Sequence, residues 1–519
     1  MMVVVSRTDR VLQNARVALC FYFLNLLLQF FSRKVFLDCL GAEVLGLNTT
    51  AQNILQFLNL AESGIAAAVA FSLYKPLRIN NIQEINEIVS IQGWFYKRVA
   101  WFVICGSLVI MAFFPWIFAK ANIPLFYAYG TFIAFLISSL LGYFTNYKMV
   151  LLSADQKDYK VTICTQGVKV TKILIQMIAV YSLAYGYMWW MIFEVVGAIV
   201  TSICLNSCIR REYPWLKLSE QIDVNRRKYY DYVLVRVKQL FFHRIGGYVL
   251  TQLTPLIIYL FTSLTVVAIY GNYLLVMGGC VALIEAIFRG TYAGVGDLVA
   301  EKNTKLIEQT FFKLVTLKLF LSGVICSGIL FLSESFMSLW VGSNFTMSSE
   351  AMIIMTLIYF IQMSRTCDIF LSAYGLFKDI WAPIGESILN VCLSIILGYF
   401  WGLSGILLGV LISQVLVVNS WKVYFLYKEG FRDASLMHYV VQYTKKICFL
   451  FFVVMFTEIV LSYFYFEINS FIDWLIYAVI VTSITFSLAT TLFYLFDETF
   501  RMLICQLLPR LKIKFIKSK

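Results

Sequence analysis

Histidine, proline and charge are scarce in this sequence. The 519 residues include 2 histidines and 7 prolines, and charged residues make up 14% of the chain, against roughly 25% in soluble globular proteins. With so few histidines, most hydrolase and metalloenzyme functions are disfavoured. The sequence also lacks a Walker A motif for binding ATP phosphates. If the protein moves a substrate, ATP hydrolysis within this chain does not drive the movement.

The 12 cysteines do not form a metal-binding pattern. Cys204 and Cys208 are the closest pair, and no histidine or second cysteine pair nearby completes a zinc set. We therefore interpret the thiols as small residues of membrane helices, and we predict neither a bound metal nor a cofactor.

Apolar residues, in contrast, are abundant. They make up 61% of the sequence, and its mean hydropathy is +0.80, whereas soluble domains contain roughly 45–50% apolar residues. A soluble core cannot bury so much apolar surface, so lipid must surround most of the chain. The predicted fold class is an all-α polytopic membrane protein. A transmembrane helix needs about 20 residues, and the segments of that kind are 17–37, 45–74, 99–119, 125–147, 161–184, 187–208, 239–262, 264–289, 313–333, 349–373, 383–401, 403–427, 447–466 and 473–496.

Basic residues are distributed unevenly between alternate loops. The net charge is +13, and 35 of the 42 Lys and Arg residues lie in one set of alternating segments, against three (Arg33, Lys34 and Lys120) in the other. Cytoplasmic loops are rich in Lys and Arg, so the first set, which includes both termini, is predicted to be cytoplasmic. This distribution explains the positive charge without nucleic acid as a partner. The short outer loops leave no room for a catalytic domain, and we expect no enzymatic activity.

A weak internal repeat divides the sequence. Leu152-Ser153-Ala154 lies at the inner end of the fourth span, and Leu371-Ser372-Ala373 lies at the inner end of the tenth, 219 residues later. Spans 1–6 and 7–12 are therefore predicted to form two six-helix lobes related by a parallel repeat. The predicted boundaries are 1–208 for the first lobe, 209–238 for a cytoplasmic linker, 239–427 for the second lobe, and 428–519 for two extra helices and a basic tail.

Several stretches of the sequence resemble a known transporter family. They are Leu40-Gly41-Ala42-Glu43, Leu60-Ala61-Glu62-Ser63-Gly64-Ile65, Phe71-Ser72-Leu73-Tyr74-Lys75-Pro76-Leu77, Ile269-Tyr270-Gly271-Asn272-Tyr273 and Trp340-Val341-Gly342. Across spans 1–12 the chain resembles the Wzx-type polysaccharide flippases of the multidrug/oligosaccharidyl-lipid/polysaccharide exporter superfamily. The resemblance implies that the two lobes surround a central cavity, which opens alternately to each side of the bacterial cytoplasmic membrane.

The resemblance also implies a cargo and its partners. The cargo would be an oligosaccharide repeat unit on an undecaprenyl-pyrophosphate carrier, flipped to the outer leaflet for O-antigen, capsule or exopolysaccharide. Membrane lipids, a polysaccharide polymerase and glycosyltransferases would be further partners. Two functions of the same superfamily remain open, a lipid II flippase and a multidrug or cation antiporter. A membrane polysaccharide polymerase is disfavoured because the chain has no long outer loop.

Polar side chains form stripes inside three predicted spans. A charged group at membrane depth usually faces a cavity or a partner, and a guanidinium binds phosphate oxygens in a bidentate fork. We therefore expect a hydrated cavity for the pyrophosphate and the sugars, against the alternative that the stripes only join helices. The candidate substrate-binding residues are Asn25, Gln29, Arg33, Gln56, Asn59, Lys169, Arg244, Gln362 and Arg365.

Some of these charges have a competing structural interpretation. Asp368, one turn after Arg365, is a possible partner for its guanidinium. Lys169 and Lys172 lie one turn apart, and either could pair with Glu194.

Three further charges have two interpretations each. Arg33 and Arg244 lie near the ends of their spans, where snorkelling to the interface explains them as well as a cavity does. Glu62 is a candidate for ion coupling, because buried carboxylates can carry protons, or it links spans 1 and 2.

Overall fold

The computed structural model describes residues 7–62, 64–218, 252–289, 291–376, 381–432, 434–464 and 466–505. Helices account for most of these residues, and the described part of the chain contains no β-strand. The chain divides into two compact units, Met1–Ala268 (unit 1) and Ile269–Lys519 (unit 2). The predicted all-α class is confirmed.

Within the described ranges, most helices follow one another with short connections. Those of unit 1 are α1 (Arg7–Asn59), α2 (Ile65–Ile79), α3 (Ile82–Ala112), α4 (Phe114–Ile117), α5 (Leu125–Phe144), α6 (Met149–Ala154), α7 (Asp158–Ser182), α8 (Gly186–Glu212) and α9 (Thr254–Phe261). Helix α10 (Leu264–Phe288) contains the boundary between the units. Unit 2 continues with α11 (Thr291–Ala300), α12 (Thr304–Val341), α13 (Ser349–Ser364), α14 (Cys367–Ala373), α15 (Trp381–Gln414), a π-helical turn (Val415–Trp421), α16 (Lys422–Glu429), α17 (Leu436–Ser462) and α18 (Phe471–Phe496).

Ten helical stretches among the described residues are long and apolar enough to cross a membrane, so the chain is a multi-pass membrane protein. Fourteen spans were predicted. Trp381–Glu429 contains two of them, and Arg16–Asn59 contains the first and part of the second, which continues after a 3₁₀ turn into α2. Helix α17, on the thirteenth span, is not among the ten stretches, and of the seventh span, 239–262, the structure describes only the part from residue 252.

Two glycines allow consecutive spans to follow without a loop. Gly41 inside α1 has φ 82° and ψ 168°, and Gly402 inside α15 has φ 54° and ψ −131°. Residues with a side chain rarely adopt a positive φ. Each glycine therefore lies at a sharp kink, and the kinks fall where the sequence predicted the boundaries between spans 1 and 2 and between spans 11 and 12.

The internal repeat reappears in the hydrogen bonds that end equivalent helices. Helices α6 and α14 both end in a Schellman motif, in which two amides beyond the helix bind carbonyls of its last turn. The amide-to-carbonyl pairs are Lys157 to Leu152 and Gln156 to Ser153 in unit 1, and Leu376 to Leu371 and Gly375 to Ser372 in unit 2. The same local sequence thus forms the same cap in each unit.

An aromatic cluster in unit 2 fixes the helices that carry the site described below. The buried ring of Phe311 on α12 lies 5.1 Å from the rings of Phe370 on α14 and Phe431, and 5.6 Å from that of Tyr439 on α17. Edge-on aromatic contacts of this kind stabilise a packed core beyond the area that they bury. The short helix α14 is therefore held firmly against α12 and α17.

Candidate functional site

The tenth predicted span is interrupted in the structure. Helix α13 ends at Ser364, and Arg365 follows with φ −50° and ψ 118°, which is not helical. Helix α14 begins two residues later, at Cys367. The predicted polar stripe, which placed Arg365 on the same helical face as Gln362, therefore ends before Arg365. Interrupted helices are common where transporters bind their substrates, because backbone groups become available there.

A buried lysine binds the carbonyl that this interruption exposes. The Nζ of Lys318 on α12 donates a hydrogen bond to the main-chain oxygen of Arg365, and the lysine is 7% exposed. An unpaired carbonyl inside a membrane is costly, so this bond stabilises the break. It also places a second positive charge beside the Arg365 side chain.

Arg365 lies between two carboxylates and is tightly bound to neither. Its Nε lies 3.9 Å from Oδ2 of Asp368, and its Nη2 lies 4.0 Å from Oε1 of Glu386 on α15. Charge-assisted hydrogen bonds between nitrogen and oxygen measure about 2.7–2.9 Å. Asp368 instead accepts such a bond from Lys422, at 2.8 Å. Within the described residues, the Arg365 Nε and the Glu386 Oε1 have no hydrogen-bond partner.

The cluster combines cations and carboxylates at close range. Lys318, Arg365 and Lys422 lie near three carboxylates, those of Asp368, Glu386 and Glu285. Lys422 forms the short ion pair with Asp368, so Arg365 keeps long contacts to the carboxylates among the described residues. A guanidinium without a short partner can still bind an additional anion.

A small cavity lies beside the cluster. Its volume is about 20 Å³, and its lining includes Arg365, Asp368, Asn419, Lys422 and Tyr443. A single water-sized group needs about 10–15 Å³, so a phosphate group cannot enter unless side chains around it move. Arg365 has 29% of its side chain exposed, and within the described ranges its side chain makes no short hydrogen bond that would oppose this movement.

In unit 1 the connection between α5 and α6 is a 3₁₀ turn, Asn146–Lys148. The main-chain oxygen of Tyr147 in this turn accepts a hydrogen bond of 3.1 Å from the side-chain amide of Gln92 on α3. Gln92 therefore binds a carbonyl between two helices, as Lys318 does in unit 2, but it carries no charge.

A second polar region of unit 1 joins α1, α7 and α8. The amide of Asn25 donates to Oε1 of Gln166 at 3.1 Å, and its own Oδ1 is buried without a partner among the described residues. Lys172 donates to both carboxylate oxygens of Glu194 at 2.7 Å. Of the two lysines that the sequence offered as partners for Glu194, Lys172 therefore pairs with it. Lys169 is half-buried and forms no ion pair with any described residue.

The remaining predicted site residues do not gather at one point. Arg33 donates from Nη2 to the carbonyl of Ala268 at 3.4 Å, and Asn59 accepts a hydrogen bond from Ser139 at 3.0 Å. Glu62 ends a 3₁₀ turn, Leu60–Glu62, between α1 and α2. Three further candidates, all half-buried, are Gln29, Gln56 and Gln362. Arg244 lies outside the described residues.

Three residues of the cluster were missed by the sequence analysis. Lys318 and Lys422 were counted among the basic residues of the predicted cytoplasmic segments. In the structure Lys318 binds the carbonyl of Arg365, and Lys422 binds the carboxylate of Asp368. Glu386 lies inside the eleventh predicted span, where the rule that intramembrane charges are functional or paired could have identified it. The sequence offered Arg365 as the partner of Asp368, whereas Asp368 lies 3.9 Å from Arg365 and forms its short ion pair, of 2.8 Å, with Lys422.

Comparison with known proteins shows similarity of fold without close similarity of sequence. No protein-family model matches this chain, and no curated protein matches it. The solved structure of the lipid II flippase MurJ in an inward closed conformation matches with a TM-score of 0.65 and 14% identity, over 92% of this chain and 99% of that one.

Multidrug transporters match as well. An inward-facing multidrug resistance MATE family transporter of the MOP superfamily gives a TM-score of 0.62 at 11% identity, over 78% of this chain and 96% of that chain. The Vibrio cholerae MATE transporter VcmN, in a mutant form, gives 0.52 at 12% identity, over 83% and 98%. The chain therefore has the fold that MATE transporters of the MOP superfamily share with the flippase MurJ.

Proposed function

We propose that this protein is a flippase that moves oligosaccharides linked to a lipid diphosphate across the bacterial cytoplasmic membrane by alternating access. The proposed cargo is a repeat unit of a surface polysaccharide on an undecaprenyl-pyrophosphate carrier, as the resemblance to Wzx-type flippases implies. Lipid II is the second candidate cargo, because it also carries a diphosphate and the MurJ structure has the same fold.

One observation carries this proposal, the Arg365 guanidinium at a helix break inside the membrane. It lies 3.9 and 4.0 Å from two carboxylates, one of which is already paired with Lys422 at 2.8 Å. A diphosphate oxygen pair offers the short bidentate contact that neither carboxylate makes. A diphosphate keeps its charge where water is excluded, so it needs a cation of this kind.

The same observation disfavours a cation antiporter. A cationic substrate would bind best at a carboxylate that lacks a counter-charge, whereas Asp368 is occupied by Lys422. Arg365 also lies between such a substrate and Glu386 and would repel it. An anionic cargo, in contrast, would be attracted by Arg365.

Deleting the protein tests the proposed cargo. We expect one surface polysaccharide to disappear while its lipid-linked repeat unit accumulates in the inner leaflet. Accumulation of lipid II and lysis would instead identify the second candidate. If the repeat unit reached the outer face and remained unpolymerised, the protein would be a polymerase component and not a flippase.

Arg365 variants test the site. Arg365→Ala should reduce transport by about tenfold or more, because a hydrogen bond to a charged group contributes roughly 1.5–3 kcal/mol. Asp368 retains Lys422 in this variant, but the buried Glu386 loses its 4.0 Å ion-pair partner, so the unfolding temperature is measured beside transport. Arg365→Lys should recover part of the transport, since an ammonium lacks the bidentate fork.

A double variant separates binding from stability. If Arg365 serves only to neutralise Glu386, then Arg365→Ala/Glu386→Gln should transport at the wild-type rate. That outcome would exclude Arg365 as a cargo ligand. Glu350→Gln, which changes an exposed carboxylate in the first turn of α13, is the matched control.

A further inference from the structure

A stretch that the internal repeat assigns to the second lobe is part of unit 1 in the structure. The repeat predicts that residues 239–427 form the second lobe, but unit 1 extends to Ala268. It therefore includes α9 and the first residues of α10, which Thr262 and Ser263 connect. We call residues 254–268 the outer hairpin, because the Lys and Arg distribution predicts that this connection is external.

The outer hairpin makes close contacts with α1 and α4. The main chain of Leu264 lies directly against Gly46 on α1, and a Cβ atom at position 46 would overlap the Leu264 carbonyl oxygen. The hydroxyl of Tyr259 donates a hydrogen bond of 2.8 Å to the main-chain oxygen of Ile117, at the end of α4. The ring of Phe118 lies 5.7 Å from that of Tyr259. Glycine allows the closest approach of two backbones, so the contact with α1 depends on Gly46.

The surface that the outer hairpin contacts is held together without it. Glu43 on α1 accepts hydrogen bonds from the main-chain and side-chain amides of Asn122, at 3.2 and 3.3 Å. Asn122 lies in the connection between α4 and α5. Because these bonds tie α1 to that connection, the hairpin can move away without separating the elements on which it rests.

The closed contact leaves a polar group buried without a partner. Thr50 lies one turn after Gly46, on the same face of α1. It is fully buried, and its Oγ1 has no hydrogen-bond partner among the described residues. A buried hydroxyl without a partner is unfavourable, and water entering at Gly46 would provide one. The closed arrangement therefore has a cost that opening would remove.

We infer that the outer hairpin is the external gate of the transport path and that Gly46 is the residue that allows this gate to close. The inference rests on the proposed function, because alternating access requires a barrier on the outer side that opens during the cycle. Opening would break the hydrogen bond from Tyr259 to Ile117 and the longer one, of 3.4 Å, from Arg33 to Ala268. It would also separate Leu264 from Gly46.

Labelling of a buried position in intact cells tests the inference. Thr50→Cys places a thiol about 6 Å deeper than Gly46, at 1.5 Å per residue, where a membrane-impermeant maleimide arrives only if the hairpin opens. In the full-length protein this thiol should be labelled slowly, above the background of the native cysteines. Adding Gly46→Ala should raise the labelling rate about tenfold, because a minor open conformation becomes the major one. The added methyl group overlaps Leu264 and prevents closure.

A glycine in open surroundings provides the matched control. A Cβ atom at Gly142, in α5, would have no other atom within 4 Å. Gly142→Ala should therefore leave both labelling and transport unchanged, whereas Gly46→Ala should also reduce transport. If folded Gly46→Ala is labelled at the rate of Thr50→Cys alone, or if Thr50→Cys is never labelled, the hairpin is a fixed part of unit 1 and the inference is wrong.

A second variant covers the case in which Gly46→Ala does not fold, as judged by its unfolding temperature. Tyr259→Phe removes only the hydroxyl and should raise the labelling of Thr50→Cys about fivefold, the population change expected for one hydrogen bond. Tyr129→Phe is its control, because Tyr129 donates a bond of 3.1 Å to the Met111 carbonyl away from the hairpin. Equal labelling in these two variants would contradict the inference.

The outcome is distinguishable from failure of the proposed function. Labelling does not involve the cargo, so unchanged labelling contradicts the gate and leaves the proposed cargo standing. The deletion experiment, in turn, can overturn the proposed cargo whether or not the outer hairpin opens.

Discussion

Lys318 donates a hydrogen bond from its side chain to the main-chain carbonyl of Arg365, across the gap between α12 and the end of α13. Lys318 therefore performs two tasks. It satisfies a backbone group at the helix break, and it brings a positive charge to the side of the guanidinium. In unit 1 the uncharged side chain of Gln92 binds the carbonyl of Tyr147.

Substituting Lys318 should separate these two tasks. Lys318→Met leaves the Arg365 carbonyl unpaired and should lower the free energy of unfolding by about 1–3 kcal/mol. Lys318→Gln, which keeps a hydrogen-bond donor but removes the charge, should be more stable than Lys318→Met. Thermal unfolding followed by tryptophan fluorescence measures this difference, with Lys305→Met at an exposed position of α12 as the control. Equal stability of the Met and Gln variants would show that the bond contributes nothing.

The two lysines of α7 should behave differently. Lys172→Met leaves the Glu194 carboxylate with a 3.3 Å contact to Gln176 and without its cation, so the unfolding temperature should fall. Lys169→Met should leave the unfolding temperature unchanged, because Lys169 has no ion pair among the described residues. If Lys169 contacts the cargo, Lys169→Met should lower transport without lowering the unfolding temperature. Loss of stability without loss of transport in Lys169→Met would remove it from the candidate site.

A buried ion pair joins the two C-terminal spans. Lys446 on α17 and Asp497 after α18 lie 2.8 Å apart, with side chains 1% and 2% exposed. Lys446→Met should destabilise the protein by roughly 3–5 kcal/mol, because it leaves a buried carboxylate unpaired. The double variant Lys446→Met/Asp497→Asn should recover most of that loss, and chemical or thermal unfolding measures both. A double variant as unstable as Lys446→Met would mean that side-chain packing, not charge, dominates at this position.

The orientation in the membrane is predicted from the Lys and Arg distribution alone. Cysteines introduced at Arg78 and Lys428 should be cytoplasmic, and one at Lys120 should be external. A membrane-impermeant maleimide added to intact cells should therefore label only the cysteine at position 120, above the background of the 12 native cysteines. Labelling of positions 78 and 120 to the same extent would overturn the alternation of loops on which the fourteen-span assignment depends.

Much of the secondary structure was predictable because membrane helices have a simple physical requirement. A segment of about 20 apolar residues must form a helix to satisfy its backbone in lipid, and that rule located the helices that the structure describes. The apolar runs also located the boundaries between consecutive spans at the kinks formed by Gly41 and Gly402.

The interruption of the tenth span was not predictable in the same way. Residues 349–373 are largely apolar and were assigned to one helix, but the helix stops at Ser364. A break inside the membrane is stable only if another part of the chain binds the exposed backbone groups. Lys318, 47 residues earlier, provides that bond, and no local pattern near Arg365 records it.

The sequence by itself therefore determined the class of the protein, the positions of its helices and the presence of an unusual arginine at membrane depth. These properties follow from local composition, because lipid acts on each segment separately. Only the tertiary structure decided which charged side chains pair with one another. It paired Asp368 with Lys422 and placed Arg365 between Asp368 and the distant Glu386. Ion pairing depends on distances between helices that are far apart in the chain, and those distances are set by packing.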